Sequence, residues 1–299
     1  MAKTAFLFPG QGGQFVGQGQ NLLDRGTFLL DLFAQAEEIS GLPLKELSLK
    51  GPIAELSQTI NLQPAVLTVS LALAKIAVAE GAEPVVAAGH SLGEYGALCL
   101  AEVLTERQAL TLVSARAHLS QKAQMEHPGV MAAFLNISGE EVIKLCDLGS
   151  AVGPVVAANF NAPSQTVISG DAKAVAAVVR YGQLKKAKII PLPVTGAFHS
   201  PLMAEAAAEM KKLILAVDFK KPRFPVIPNA LGETVDDPGR IKELLIEQMV
   251  SPVQWVKTSA ALLESDPDAI IECWPKLYVG SLVKKCLPAD LKIPIQAVA

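Results

Sequence analysis

Apolar residues fall along this chain in two patterns. Short uninterrupted runs, such as Ala5-Phe6-Leu7-Phe8 and Val85-Val86-Ala87-Ala88, are bounded by Gly or Pro and read as strands buried on both faces. Longer stretches repeat apolar positions at helical spacing, and residues 21–39, 64–80 and 106–125 carry that pattern. In the second, Pro64 suits a first-turn position ahead of Ala65, Val66, Val69, Leu73 and Ile76; Thr105 suits the cap of the third. Strands alternating with helices predict an α/β core on a mostly parallel sheet.

From Gly129 the pattern changes. Strands are expected at 130–135, 155–159, 166–169 and 188–192, with helices at 139–146 and 172–181. That is β-α-β-β-α-β, the ferredoxin-like order. A small α+β subdomain covering 126–196, with Pro191-Leu192-Pro193 near its exit, is therefore expected within a larger domain made of 1–125 and 197–299. The final third predicts strands at 224–227 and 269–272 and helices at 201–217, at 239–249, from the end of Ser251-Pro252-Val253-Gln254-Trp255 to about 264, and at 279–286.

The most informative stretch is Gly89-His90-Ser91-Leu92-Gly93, a G-x-S-x-G pentapeptide between the run at 85–88 and a helix-prone segment at 94–104. This is the setting of a nucleophile elbow on an α/β-hydrolase-like sheet, where small flanking residues permit a very tight turn. Ser91 is the candidate nucleophile, and the Leu92 N–H, opening the helix, can donate to an oxyanion. His199 lies on a loop just before a helix that Ser200 can cap and Pro201 can begin, a position from which a general base can be aimed. His90 adjoins the serine on an extended segment and faces away, while His118 and His127 fall on a helix and its frayed end, so His199 is the best base by elimination. Gly10-Gln11-Gly12-Gly13-Gln14 fits a phosphate-binding loop poorly, because Phe15 holds the sixth position of G-x-G-x-x-G and no G-K-[ST] follows. Its glycines instead let Gln11 bring a neutral amide to the site as a second oxyanion donor. Arg116 continues the apolar stripe of Ala109, Leu112 and Val113. A cation there needs an anionic partner, either a Glu or Asp of the protein or the carboxylate of a substrate.

Composition narrows the classes. Of 299 residues, 51% are hydrophobic, enough for one large core and a small second one. A net charge of −3 gives no general attraction to nucleic acid or anionic membrane. Four cysteines without C-x-x-C pairing and four histidines without ligand spacing imply reduced thiols, a cytoplasmic setting and no structural metal. The first apolar run reaches Pro9-Gly10 too soon for a signal peptide, and Gly, Pro, Asn and Ser break the longest uncharged span, between Asp147 and Asp171. A soluble protein is expected.

Taken together, Phe8-Pro9-Gly10-Gln11-Gly12, Gly89-His90-Ser91-Leu92-Gly93-Glu94-Tyr95, Arg116, Asn159-Phe160-Asn161-Ala162-Pro163, Ile168-Ser169-Gly170, Phe198-His199-Ser200-Pro201-Leu202-Met203 and Gln248-Met249-Val250-Ser251-Pro252-Val253-Gln254-Trp255 resemble the signature blocks of malonyl-CoA:acyl carrier protein transacylases. The resemblance implies that Ser91 takes the malonyl group as an ester, with His199 removing and returning its proton. It implies that Gln11 and Leu92 hold the oxyanion, Arg116 grips the malonyl carboxylate, and a backbone carbonyl at Gln248 orients His199. Phe198 matches the malonyl-selective form. Coenzyme A enters as a thioester substrate, with no cofactor, and the partners are malonyl-CoA and an acyl carrier protein, served by a monomer. Two positions depart from the pattern: Trp274-Pro275-Lys276 stands where the family commonly has Gly-Pro-Gly, and Ser120 where it has Met. The acidic carrier directs attention to Lys185, Lys186 and Lys188, to Lys220, Lys221 and Arg223, and to Lys284 and Lys285. Alternatives are a trans-acting acyltransferase of a polyketide pathway, a serine esterase or thioesterase needing Asp147, Asp171 or an intervening Glu behind His199, and a phosphate-binding protein built on the Gly10 loop.

Overall fold

Strand β1 (Lys3–Phe8) lies at the centre of the larger sheet, and its alternation shows why it reads as a continuous apolar run. Phe6 and Phe8 belong to one hydrophobic cluster and Ala5 and Leu7 to another, so both faces of the strand are covered. The computed structural model describes residues 2–194, 196–288 and 290–298; Met1, Thr195, Ala289 and Ala299 lie outside the described residues.

After β1 come α1 (Phe28–Ser40), α2 (Leu44–Lys50), α3 (Ile53–Leu56) and α4 (Thr59–Ala79), then β2 (Glu83–Gly89), α5 (Glu94–Leu100) and α6 (Glu106–Glu126). The smaller sheet follows with β3 (Val130–Leu135), α7 (Gly139–Gly149), β4 (Val155–Ala162), β5 (Gln165–Gly170), α8 (Ala172–Leu184) and β6 (Lys188–Pro191). The chain ends with α9 (Ala204–Leu215), β7 (Val226–Ile227), α10 (Pro238–Glu247), α11 (Trp255–Glu264), β8 (Ala269–Glu272), α12 (Val279–Cys286) and β9 (Ile295–Ala297). The larger sheet has the order β7-β2-β1-β8-β9, with every neighbouring pair parallel. The protein is thus an α/β fold on a parallel sheet.

The smaller sheet, ordered β4-β5-β3-β6, is antiparallel throughout. Helices α7 and α8 close one face over Phe134, Val142, Ile168 and Val178. Its other face, with Met131, Ala133, Ala158 and Val167, packs against Leu192, Val194 and Phe198. Two backbone hydrogen bonds tie this sheet to the segment before α11: Val253 N–H donates to Ala158 O and Phe160 N–H to Val253 O, each at 2.9 Å. A cleft is left between the sheets.

Several expected boundaries shift. The helix expected over 21–39 is a 3-10 turn at Gln20–Leu22 followed by α1, because Gly26 at φ 111° cannot continue a helix. Helix α4 begins earlier, at Thr59, which puts Pro64 inside it rather than in its first turn; the residue is buried, and packing outweighs the one lost backbone bond. Helix α5 stops at Leu100, before a turn in which Glu102 takes φ 61°. Strand β7 keeps only two residues of the run expected at 224–227. Helix α4 is long and apolar enough to cross a membrane, with 83% of its most apolar stretch buried inside the protein.

Candidate active site

Strand β2 delivers Ser91 at its carboxyl end. The serine takes φ 54°, a strained value for a non-glycine residue, and starts a 3-10 turn (Ser91–Gly93) that runs into α5. The flanking glycines are required by contact: a Cβ on Gly89 would stand 2.0 Å from the Gly93 carbonyl, and one on Gly93 2.3 Å from Phe8 O. Asn229 braces the turn from the loop after β7. Its Oδ1 accepts the Ser91 N–H at 2.6 Å, its Nδ2 donates to Gly89 O at 2.6 Å, and its own N–H donates to Glu94 Oε2 at 3.0 Å.

His199 reaches the serine from the loop before α9, itself at φ 56°. Its Nε2 lies 2.8 Å from Ser91 Oγ. Its Nδ1 lies 3.0 Å from Gln248 O and 3.1 Å from Ser251 O. Carbonyls only accept, so Nδ1 carries the proton and Nε2 presents a lone pair to the hydroxyl. Burial, then the nearby Arg116 charge, then His90 push the imidazole down to about 3, against the pull of the two carbonyls. At neutral pH the ring is an unprotonated base.

Arg116, on α6, is 3% exposed, and it donates to three neutral oxygens. Nη1 donates to Gln63 Oε1 at 2.7 Å, and Nη2 to Ser91 Oγ at 3.0 Å and Gln248 Oε1 at 3.3 Å. Of the two partners left open by the sequence, no carboxylate among the described residues forms an ion pair with it. The buried Glu94 acts on it through charge and through a shared neighbour, its Oε2 accepting from Gln248 Nε2 at 2.8 Å. Burial raises the Glu94 carboxyl to about 7, against the Gln248 and Asn229 hydrogen bonds and the Arg116 charge. Gln248 also donates to Ser91 O at 2.9 Å, so one side chain joins the elbow, the arginine and the buried acid.

Ser91, His199 and Arg116 line a cavity of about 110 Å³ together with Gln11, Leu92 and Phe198. Met131 and Val167 of the smaller sheet and Tyr278 complete much of its wall. The cavity thus brings together Ser91, His199, Arg116, Gln11, Leu92 and Phe198, while Gln248 acts from behind through its carbonyl and its amide. His90 turns to Asn161 Oδ1 at 2.9 Å and packs 5.1 Å from the Trp255 ring; burial holds it below its ordinary pKa. The aspartates that an esterase reading would need do not stand behind His199: Asp171 caps α8, and Asp147 is exposed on α7. Among the described residues no group of His, Cys, Asp and Glu could hold a metal ion. Lys284 and Lys285 sit at the end of α12, where Lys285 Nζ donates to Gln165 Oε1 at 2.9 Å. Gln63, Asn229 and Glu94 have no role assigned from sequence: Gln63 and Asn229 carry no periodic or motif signal, and Glu94, although it falls in the block that follows Ser91, works through bonds to Gln248 and Asn229 that the chain order does not show.

Residues 5–292 match the acyl transferase domain family. The chain is 39% identical over 287 residues to the malonyl CoA-acyl carrier protein transacylase of Bacillus subtilis strain 168, covering 95% of this chain and 90% of that protein. The crystal structure of the malonyl-CoA:acyl carrier protein transacylase of Xanthomonas oryzae superposes with a TM-score of 0.94 at 34% identity, covering 100% of this chain and 95% of the other. A malonyl-transacylase solved in complex with a type II polyketide acyl-carrier protein superposes with a TM-score of 0.92 at 31% identity, over 99% and 95% of the two chains.

Proposed function

The chain belongs to the acyl transferase family, within its malonyl CoA-acyl carrier protein transacylases, and from that premise we propose that it moves malonyl from malonyl-CoA to the phosphopantetheine thiol of an acyl carrier protein, supplying fatty-acid synthesis. The observation that carries this reading is the convergence on one oxygen: Ser91 Oγ lies within hydrogen-bond reach of both the His199 base and the Arg116 cation.

The chemistry proceeds in two halves. Ser91 Oγ attacks the thioester carbonyl as its proton passes to His199 Nε2. Negative charge gathers on the carbonyl oxygen, where the Leu92 N–H and the Gln11 amide donate. The carbon–sulfur bond breaks, His199 returns the proton to the departing coenzyme A sulfur, and a malonyl ester remains on Ser91. The carrier thiol then gives its proton to His199 and attacks the ester, and Ser91 leaves with that proton. Throughout, Arg116 holds the malonyl carboxylate with its planar fork, and Gln248 keeps that fork in place. The Phe198 ring occupies the space a 2-methyl group would need.

The orienting group behind His199 is a pair of carbonyls rather than a carboxylate, which supports transfer over an esterase triad. Residues 1–125 and 197–299 form an α/β-hydrolase-like domain and 126–196 a ferredoxin-like subdomain, a reading supported by the 4-1-3-2 strand order of the smaller sheet. The same reading makes the protein a monomer that needs no cofactor and places it in the cytoplasm, the last supported by four free cysteines.

A carrier-loading assay tests this. Varying malonyl-CoA at several concentrations of holo acyl carrier protein should give parallel double-reciprocal lines and malonyl-carrier as product. Release of free malonate with no carrier loaded would refute transfer in favour of hydrolysis.

A further inference from the structure

Glu94 takes no part in the two half-reactions, yet it sits at the centre of the hydrogen-bond network behind Ser91. It is 1% exposed, in the first turn of α5. Its Oε2 accepts the Asn229 N–H at 3.0 Å and Gln248 Nε2 at 2.8 Å, while its Oε1, also buried, accepts no hydrogen bond from the described residues. Gln248 links it to Arg116: the side-chain amide that donates to Glu94 accepts from Arg116 Nη2 at 3.3 Å, so a single amide group separates carboxyl from guanidinium.

A buried cation calls for a negative charge nearby. The two groups that offset the Arg116 charge are Tyr95 and Glu94, neighbours on α5. Burial raises the Tyr95 phenol, so it is uncharged near neutral pH. His199, facing Arg116 from the loop before α9, and His90 at the end of β2 are both held below their ordinary values and carry no charge either. Glu94 is left as the anion among these groups, and burial, raising its carboxyl to about 7, leaves it close to the balance between charged and neutral. A malonyl carboxylate on the Arg116 fork would bring a second negative charge into the same buried space. Two like charges sharing one site disfavour the ionised form of the weaker acid.

We propose that Glu94 is the resident counter-charge of Arg116 and gives way to substrate: its carboxylate balances the guanidinium across Gln248 while the cleft is empty, and it takes a proton from solvent when the malonyl carboxylate arrives. Oε1 can carry that proton without disturbing the network, because Oε2 keeps both of its donors and Gln248 keeps its orientation toward Arg116. The inference rests on the transferase reading and deepens it: malonyl and one proton are bound together, whereas an acyl group without a carboxylate draws no proton.

Proton uptake, followed with a pH indicator in weakly buffered solution and expressed per malonyl ester counted by intact mass, tests it. At about pH 7.5 wild type should take up roughly half a proton per ester, and at about pH 5.5 almost none, because Glu94 is then already neutral. Acetyl-CoA, with the same coenzyme and no second carboxylate, should cause no uptake. Glu94→Gln keeps an oxygen for the Gln248 amide and removes the titrating group, so the malonyl-linked uptake should vanish. KM for malonyl-CoA should rise by about fivefold or more between roughly pH 6.5 and 8.5 in wild type and stay flat in Glu94→Gln. Malonyl ester formed without proton uptake overturns the inference, as does equal uptake with acetyl-CoA or in Glu94→Gln. The comparison of the two thioesters on wild type decides the matter even where Glu94→Gln does not fold. A wild-type protein that forms no malonyl ester instead defeats the transferase reading itself.

Discussion

Replacing Arg116 with Met keeps most of the buried stem and removes the charge. The guanidinium is 3% exposed, so solvent screening does not soften its loss. Its hydrogen bonds in the free protein all go to neutral oxygens, on Gln63, Ser91 and Gln248, and none of these can balance a substrate carboxylate once the cation is gone. Stranding one charge of a buried pair costs about 3–5 kcal/mol, so kcat/KM for malonyl-CoA should fall roughly 150- to 5,000-fold. Acetyl-CoA has no carboxylate to strand, and its turnover should hold or rise. The assay is kcat/KM for both thioesters, wild type against Arg116→Met. An equal fall for both would refute the reasoning, because Arg116 also donates to Ser91 Oγ at 3.0 Å and a uniform loss would mean it serves the nucleophile rather than the substrate.

His199, held down to about 3, loses activity on protonation, so kcat/KM should persist as pH falls below 6.5 and fail only well toward that lower value; an acid limb at the ordinary histidine value contradicts the burial argument. Because the Arg116 charge is the second cause of that depression, Arg116→Met should move the acid limb upward, measurable with acetyl-CoA. Asn229→Ala leaves the Ser91 N–H and Gly89 carbonyl without their partner, at about 1–3 kcal/mol for each buried group. Thermal melting should come earlier and kcat should drop more than KM rises, whereas an unchanged kcat would deny Asn229 its bracing role.

Much of this arrangement was legible because strong local signals agreed with the fold. Strand β3, strand β8 and helix α12 fall on the expected residues, since each is an apolar run or stripe closed by turn residues. The capping box of Thr105 and Gln108 marks the start of α6 in the same way. The start of α4 is not legible in sequence, because burial overrides the preference of Pro64 for a first turn. Strand β9, at three residues, is too short for periodicity to register. At the site, Ser91 and His199 announce themselves by context. Asn229, Gln63 and Glu94 do not, because what marks them is a partner distant in the chain, such as the Asn229 contact across to Gly89.

The central claim is a covalent malonyl ester on one named hydroxyl. Intact-mass measurement after brief exposure to malonyl-CoA should show wild type heavier by one malonyl group, Ser91→Ala unmodified, and the added mass removed by holo acyl carrier protein. An unmodified wild type, or equal labelling of Ser91→Ala, would contradict the account.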